Sequence, residues 1–313
     1  MEEESVTQNV VLGMDVGGTN CRIGLITEDL QVLEFEIFPT EKVFSKDLNA
    51  SINISNFIKA YLLRNLKDMN LLAVSIGFPS TISRDKKTVI QTPNIKNISD
   101  NFAAVDLLEK ELNCTVYVNK DTNNLLLYDM NELDINDYQD VCGIYFGTGV
   151  GNAVMINGKI LTGHNGVASE LGHLPVYGNS NKCTCGNIGC LETLISGLAL
   201  VQLRNANFPQ TELNEIFLKK SKTPEVCKFI KGMAQTVALQ ANIFDPECII
   251  LGGGLLMDGY FPFSEFEREI HASTRKPYPE KNMLLKYSHP TQINGVIGAG
   301  IYAYKRLKDV NYR

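Results

Sequence analysis

The stretch ELGHLPVYGNSNKCTCGNIGCLE, residues 170–192, gathers side chains that bind metals and move protons. Cys183, Cys185 and Cys190 follow His173 within one short segment, and Glu170 and Glu192 frame them. Tetrahedral zinc takes thiolate and imidazole donors, and this Cys3His set supplies four. A disulfide would leave one of three sulfurs unpaired, so the metal reading uses every donor; a disulfide and plain thiols are the alternatives. Four protein donors leave no position for an activated water, so the metal expected here is structural zinc. Closing the loop would orient Glu170 and Glu192 as carboxylate acceptors for a polyhydroxylated ligand.

Three glycine-rich stretches are suited to anions or to close ligand approach. In DVGGTN, Asp15 to Asn20, Gly17 and Gly18 carry no Cβ to keep backbone N–H groups from a phosphate, and Thr19 adds a hydroxyl. Asp15 at the strand end is an oxygen ligand suited to Mg2+ beside a nucleotide. GTGVG, containing Gly147, Thr148 and Gly149, offers the same chemistry again. One such hairpin is a weak signal, because a tight turn needs glycine for its geometry alone; two at matching positions are a stronger one. Gly252, Gly253 and Gly254 follow the apolar CIIL, and the spacing predicts that they open a helix as bare backbone against a flat ring or sugar.

Asp121 follows the apolar TVYV, where a strand end would project it into a cleft; there a carboxylate can accept a hydroxyl proton, although caps and turns are the commoner use. GFPS and TPN are loops stiffened by Pro79 and Pro93 that would present Ser80 and Asn94.

The elements that must position these residues occur twice. VVLGMDVGGTNCRIGLITEDLQVLEFEI reads as strand, glycine turn, strand, turn, strand, and VCGIYFGTGVGNAVMINGKIL repeats that order about 130 residues later. Each hairpin precedes alternating helix-like and strand-like segments, and GVIGAGIYAYKRLKDV forms a last helix. The expectation is two α/β lobes with mixed sheets: residues 1–120, joined by the terminal helix 295–313, and residues 121–294 with the zinc loop.

Composition narrows the partners. The chain has 313 residues, 44% hydrophobic, with a formal charge of −6, which argues against a broad nucleic-acid face and for small ligands. Neither a signal peptide nor a membrane-spanning run is visible, so a cytoplasmic location is expected. Of eight cysteines, Cys21, Cys114, Cys142, Cys227 and Cys248 are scattered singly, unlike a disulfide framework.

The duplicated hairpins with a third glycine loop resemble the actin, sugar-kinase and heat-shock ATPase superfamily, and DVGGTN, ELGHLPV and CTCGNIGCLE together resemble the ROK family of sugar kinases and sugar-responsive repressors. The resemblance implies a two-lobed, duplicated, ribonuclease H-like α/β fold with a cleft between lobes. It implies an ATP-dependent kinase acting on the primary hydroxyl of a hexose, with ATP and Mg2+, Asp121 as base, Asn123 supporting its loop, and Asn94, Glu170, His173 and Glu192 touching the sugar. A homodimer is implied by the family alone.

Two departures stand out. Lys120 replaces the Asn that many ROK glucokinases carry before the aspartate; with GFPSTISRDKKTVIQTPNI and VNKDTNN it is similar to the allose-kinase-like branch, so D-allose is the implied sugar, with glucose and N-acetylmannosamine as alternatives. Ser169 stands before Glu170 where the family commonly has Gly. A repressor of this family carries a helix-turn-helix ahead of the first strand, on the order of 50 residues. The roughly ten polar residues at this position are expected not to form one.

Overall fold

The computed structural model describes residues 7–44, 49–92, 95, 97–289 and 291–312. Strands β1 (Asn9–Val16), β2 (Asn20–Thr27) and β3 (Val32–Pro39) form an antiparallel meander, with Val16 opposite Cys21 across the DVGGTN turn. Helices α1 (Thr40–Val43) and α2 (Ala50–Asn65) lead to β4 (Asn70–Phe78), which joins β1 in parallel. Asn49 starts α2, its side chain accepting from Ile52 N–H. The short hairpin β5 (Thr81–Ile82) and β6 (Val89–Gln91), then α3 (Ala104–Leu112), precede β7 (Val116–Lys120), a parallel edge strand; α4 (Asp121–Glu132) follows with no residue between. The sheet order is β3-β2-β1-β4-β7. Both faces of its central strand β1 are covered, Leu12 and Met14 packing in the cluster of Ile54 and Val11 in that of Val296 and Ala303, which is why its apolar run shows little alternation.

The same order recurs. Strands β8 (Val141–Phe146), β9 (Val150–Ile156) and β10 (Lys159–Ile160) repeat the meander around the GTGVG turn. After α5 (Glu192–Ile195), α6 (Gly197–Asn207), α7 (Ile216–Lys220) and α8 (Pro224–Phe244), β11 (Cys248–Gly252) adds in parallel to β8. Then α9 (Phe263–Ser273) leads to β12 (Leu285–Tyr287), parallel to β11, giving the order β10-β9-β8-β11-β12. The repeat visible in the sequence is therefore a repeat of mixed-sheet topology.

Two units result, Met1–Glu132 with Thr162–Ala168 and Thr291–Arg313, and Leu133–Leu161 with Ser169–Pro290. The first has a core built on Leu12, Met14, Ile54, Ile76 and Phe78; the second is built on Phe146, Phe229, Leu251 and Phe266. Burial of each such side chain contributes about 1.5–3 kcal/mol. The expected break at residue 120 falls instead after Glu132, because α4 packs against the last helix, α10 (Asn294–Lys308). At Gly298 a Cβ would overlap the Asn124 carbonyl, so α10 and α4 meet backbone to backbone, an approach that glycine permits. Among the described residues no helix is long and apolar enough to cross a membrane.

Candidate active site

In the second unit the chain folds back after the Leu171–His173 turn: Val176 N–H donates to Gly189 O at 2.8 Å and Leu191 N–H to Leu174 O at 2.9 Å. Cys183 N–H closes the CTCGN turn on Asn187 O at 2.9 Å. These bonds bring one donor atom from each of His173, Cys183, Cys185 and Cys190 within 4.8 Å of one another. Cys183 Sγ lies 3.6 Å from His173 Nδ1, and Cys185 Sγ lies 3.6 Å from Cys190 Sγ. A tetrahedron with metal–sulfur bonds of about 2.3 Å has edges of about 3.8 Å, so this donor set fits zinc. A disulfide would need sulfurs about 2.05 Å apart, and all eight cysteines are free thiols.

The same imidazole ties in both glutamates. Its Nδ1 side faces the thiols and Glu192 Oε1, 3.7 Å away, while Nε2 lies 3.8 Å from Glu170 Oε2. Glu192 is the more enclosed of the two carboxylates, and its Oε1 also sits 3.1 Å from Cys183 Sγ. Burial, reinforced by Glu192, raises the Cys183 thiol above its ordinary range, so a divalent cation binding there must displace a proton. Ser169 adopts φ +65, the left-handed conformation that glycine takes at little cost, so the backbone entering Glu170 keeps a glycine-like path.

The second glycine turn is built against this site. Gly147 N–H closes it on Gly149 O at 3.0 Å, and the start of α6 packs onto it, Gly197 N–H donating to Gly147 O at 2.8 Å. Ser196 caps α6, its Oγ accepting from Ala199 N–H. Thr148, Lys182, Glu192, Ser196 and Gln202 line a cavity of about 230 Å3, so the turn and the Glu192 carboxylate border one space. Among the described residues the amides of Thr148 and Gly149 have no protein acceptor and remain available to an anion.

The first turn follows the same plan. Gly17 N–H donates to Asn20 O at 3.0 Å, while Thr40 braces the turn from outside through its Oγ1 on Gly17 O at 2.6 Å and its N–H on Thr19 O at 2.9 Å. The amides of Gly18 and Thr19 have no protein acceptor among the described residues. Asp15 pairs with Arg22 Nη1 at 3.4 Å, and Arg22 also donates to Gln292 Oε1 at 2.8 and 3.0 Å. Burial raises the Asp15 carboxyl even against the pull of Arg22, an environment that favours a cation beside it. The sequence reading did not include Arg22, whose partner Gln292 lies 270 residues away.

Asp121 is the first residue of α4, half-buried, with Oδ1 accepting from Thr122 N–H at 2.7 Å. Lys120 ends β7 opposite Phe78. Behind them lies a buried polar network: Asn119 Oδ1 accepts from Asn123 Nδ2 and from Lys86 Nζ, each at 3.1 Å, and Asn119 Nδ2 donates to Asn124 Oδ1 at 2.9 Å. Burial, then the charges of Lys120 and Arg306, lower the Lys86 ammonium to about 8. Lys86 was missed by sequence reasoning, because SRDKKT has the composition of a solvated turn. Ser80 is buried rather than presented, sharing a 2.6 Å hydrogen bond with Thr92 Oγ1 that ties its loop to β6. Pro93 and Asn94 lie outside the described residues.

The LGGG run does not open a helix. Gly252 ends β11, Gly253 turns at φ +95 against the backbone of Phe146, and α9 begins only at Phe263, after Pro262. A left-handed residue stops a strand without starting a helix, so Gly252, Gly253 and Gly254 form a strand-end turn of bare backbone.

The sequence pattern of the ROK family matches residues 11–306. The chain belongs to the ROK family. Among its ROK relatives, a glucokinase of Thermotoga maritima is 26% identical over 283 residues, covering 83% of this chain and 86% of that protein. An N-acetylglucosamine repressor of Escherichia coli O157:H7 is 27% identical over 259 residues, 77% of this chain and 63% of the repressor's length. The ROK glucokinase of Streptomyces griseus, solved with glucose and AMPPNP, superposes with a TM-score of 0.76 at 24% identity, covering 93% of this chain and 98% of the other. That ROK likeness extends over both sheets, so the fold class expected from the duplicated hairpins holds.

Proposed function

We propose that this ROK protein is an ATP-dependent hexose kinase that phosphorylates the sugar's primary hydroxyl. Asp121 accepts the hydroxyl proton as the oxygen bonds to the γ-phosphorus; the bond to the β–γ bridging oxygen breaks and ADP leaves. The observation that carries this reading is the place of Asp121, at a strand-to-helix corner braced from behind by buried asparagines, where a carboxylate keeps one orientation. Glu170 and Glu192 accept hydrogen bonds from sugar hydroxyls, His173 donates its Nε2–H to one while Nδ1 faces the thiols, and Asn94 and Lys120 complete the substrate contacts. The amides of the two glycine turns hold phosphate oxygens, with Asp15 beside Mg2+ and Gly252 to Gly254 beside the nucleoside. Zinc on His173, Cys183, Cys185 and Cys190 would cross-link the loop.

Lys120, standing where many ROK glucokinases have Asn, supports D-allose as the preferred sugar. A polar site discriminates epimers by leaving buried groups unpaired when one hydroxyl points the wrong way, and a donor-only ammonium accepts a different pattern from a carboxamide. Glucose is the second reading, favoured by the name of the Thermotoga maritima relative. Coupled ADP release with ATP over D-allose, glucose, N-acetylmannosamine and N-acetylglucosamine tests both. The expected result is turnover with the highest kcat/KM on D-allose; a higher value on glucose replaces the sugar, and no ADP release with any hexose removes the kinase.

A further inference from the structure

Lys86 is 4% exposed, although it belongs to the charged run SRDKKT, and it sits at φ +61 in the turn between β5 and β6. Its Nζ donates to the neutral Asn119 Oδ1 at 3.1 Å, and among the described residues no carboxylate lies within ion-pair reach of it. The charges that face it are like charges, Lys120 from β7 and Arg306 from α10. A buried ammonium without a counter-ion opposes folding, and an apolar side chain of similar length would fill the same space at lower cost. Stability therefore gives no reason for a lysine here.

Its hydrogen bond does. Asn119 is the residue before Lys120, and its carboxamide reaches both ways, taking Lys86 Nζ and Asn123 Nδ2 on Oδ1 and giving Nδ2 to Asn124 Oδ1 at 2.9 Å. Asn123 and Asn124 stand in the first turn of α4, so these bonds clamp the chain on both sides of Lys120 and Asp121. A carboxamide can turn over, exchanging donor for acceptor, whereas lysine can only donate. Lys86 thus fixes which end of the Asn119 carboxamide meets Asn123 and which meets Asn124, and with it the orientation of the corner. From this geometry we propose that Lys86 is a positioning residue, which acts through Asn119 to set the Lys120–Asp121 corner. The role rests on the kinase reading, with Asp121 as base.

The test compares the full-length wild type, Lys86→Met, Asn119→Leu and the double variant, each assayed with ATP on the best hexose, with folding followed by circular dichroism. Lys86→Met is expected to lower kcat by about 10- to 100-fold, the range for an aligned group displaced by up to about 1 Å. Both KM values should stay within about twofold, as when an interaction made in the transition state is lost. Because Lys86 acts through Asn119, the double variant should lose no more than the worse single one. A kcat within about twofold of wild type, a rise in KM alone, or losses that multiply in the double variant each overturn the role of Lys86 while the kinase stands. A wild type that releases no ADP with any hexose overturns the kinase and this role with it. Should Lys86→Met fail to fold, Lys86→Gln is held to the same split between kcat and KM.

Discussion

Glu192 occupies the space where a side chain on residue 149 would stand: a Cβ there would lie 2.6 Å from Glu192 Oε2. Glycine at 149 therefore serves the Glu192 carboxylate as well as the turn, and the two cannot be altered independently.

Gly149→Ala should push the Glu192 carboxylate aside. Losing a hydrogen bond to a charged group costs about 1.5–3 kcal/mol, so the sugar KM is expected to rise by roughly 10- to 100-fold. The KM for ATP should move less. Steady-state kinetics with each substrate varied in turn checks this, and an effect confined to ATP would separate Gly149 from Glu192.

Metal analysis of the purified chain should find one zinc per chain, and none in Cys185→Ser. Stripping the metal with a strong chelator should lower the melting temperature and weaken sugar binding, because Glu192 and Glu170 both lean on His173. Re-adding zinc should restore both. Equal melting curves for the stripped and loaded protein would leave the cluster as plain thiols.

Lys86 should make stability rise with pH. Its folded-state value near 8 lies below the ordinary 10.5, so between the two the unfolded chain binds more protons and folding becomes more favourable as pH climbs. Below pH 8 the whole cost is present, about 3 kcal/mol at about 1.4 kcal/mol per unit. Asn123 still donates to Asn119 when the lysine is gone, so Lys86→Met should be more stable than wild type by about 1–3 kcal/mol at pH 7. Denaturant curves at pH 7 and pH 10 should show that advantage shrinking; a variant equally stable or less stable at pH 7 contradicts the account of this burial.

Ser169→Gly should leave the sugar KM within about twofold, because Ser169 already holds the left-handed path at φ +65. Relief of that conformation is offset by glycine's greater entropy in the unfolded chain, so the stability change should stay under about 1 kcal/mol. Calorimetry with the kinetics checks both, and a large shift in KM would mean that the serine bends the loop.

Local pattern sufficed wherever the structure depends on neighbours in sequence. The two glycine hairpins, the segments that became α2, α8 and α10, and the four donors within residues 173–190 were all legible. What escaped depends on long-range packing. The unit boundary moved past α4 because Gly298, 174 residues beyond the Asn124 it meets, admits α10 against it. Arg22 met Gln292 only through the fold, Lys86 was carried inside by the β5–β6 turn, and Gly253 proved to end a strand because its φ is positive. None of these leaves a periodicity or motif in the residues themselves.

The central claim is that Asp121 takes the hydroxyl proton, and Asp121→Asn tests it most directly, since the amide keeps the shape and loses the base. With the hexose binding constant measured calorimetrically beside turnover, the account predicts binding within about threefold of wild type and a kcat lowered by about 100- to 10,000-fold. Turnover near the wild-type rate in a variant that still binds sugar would contradict it.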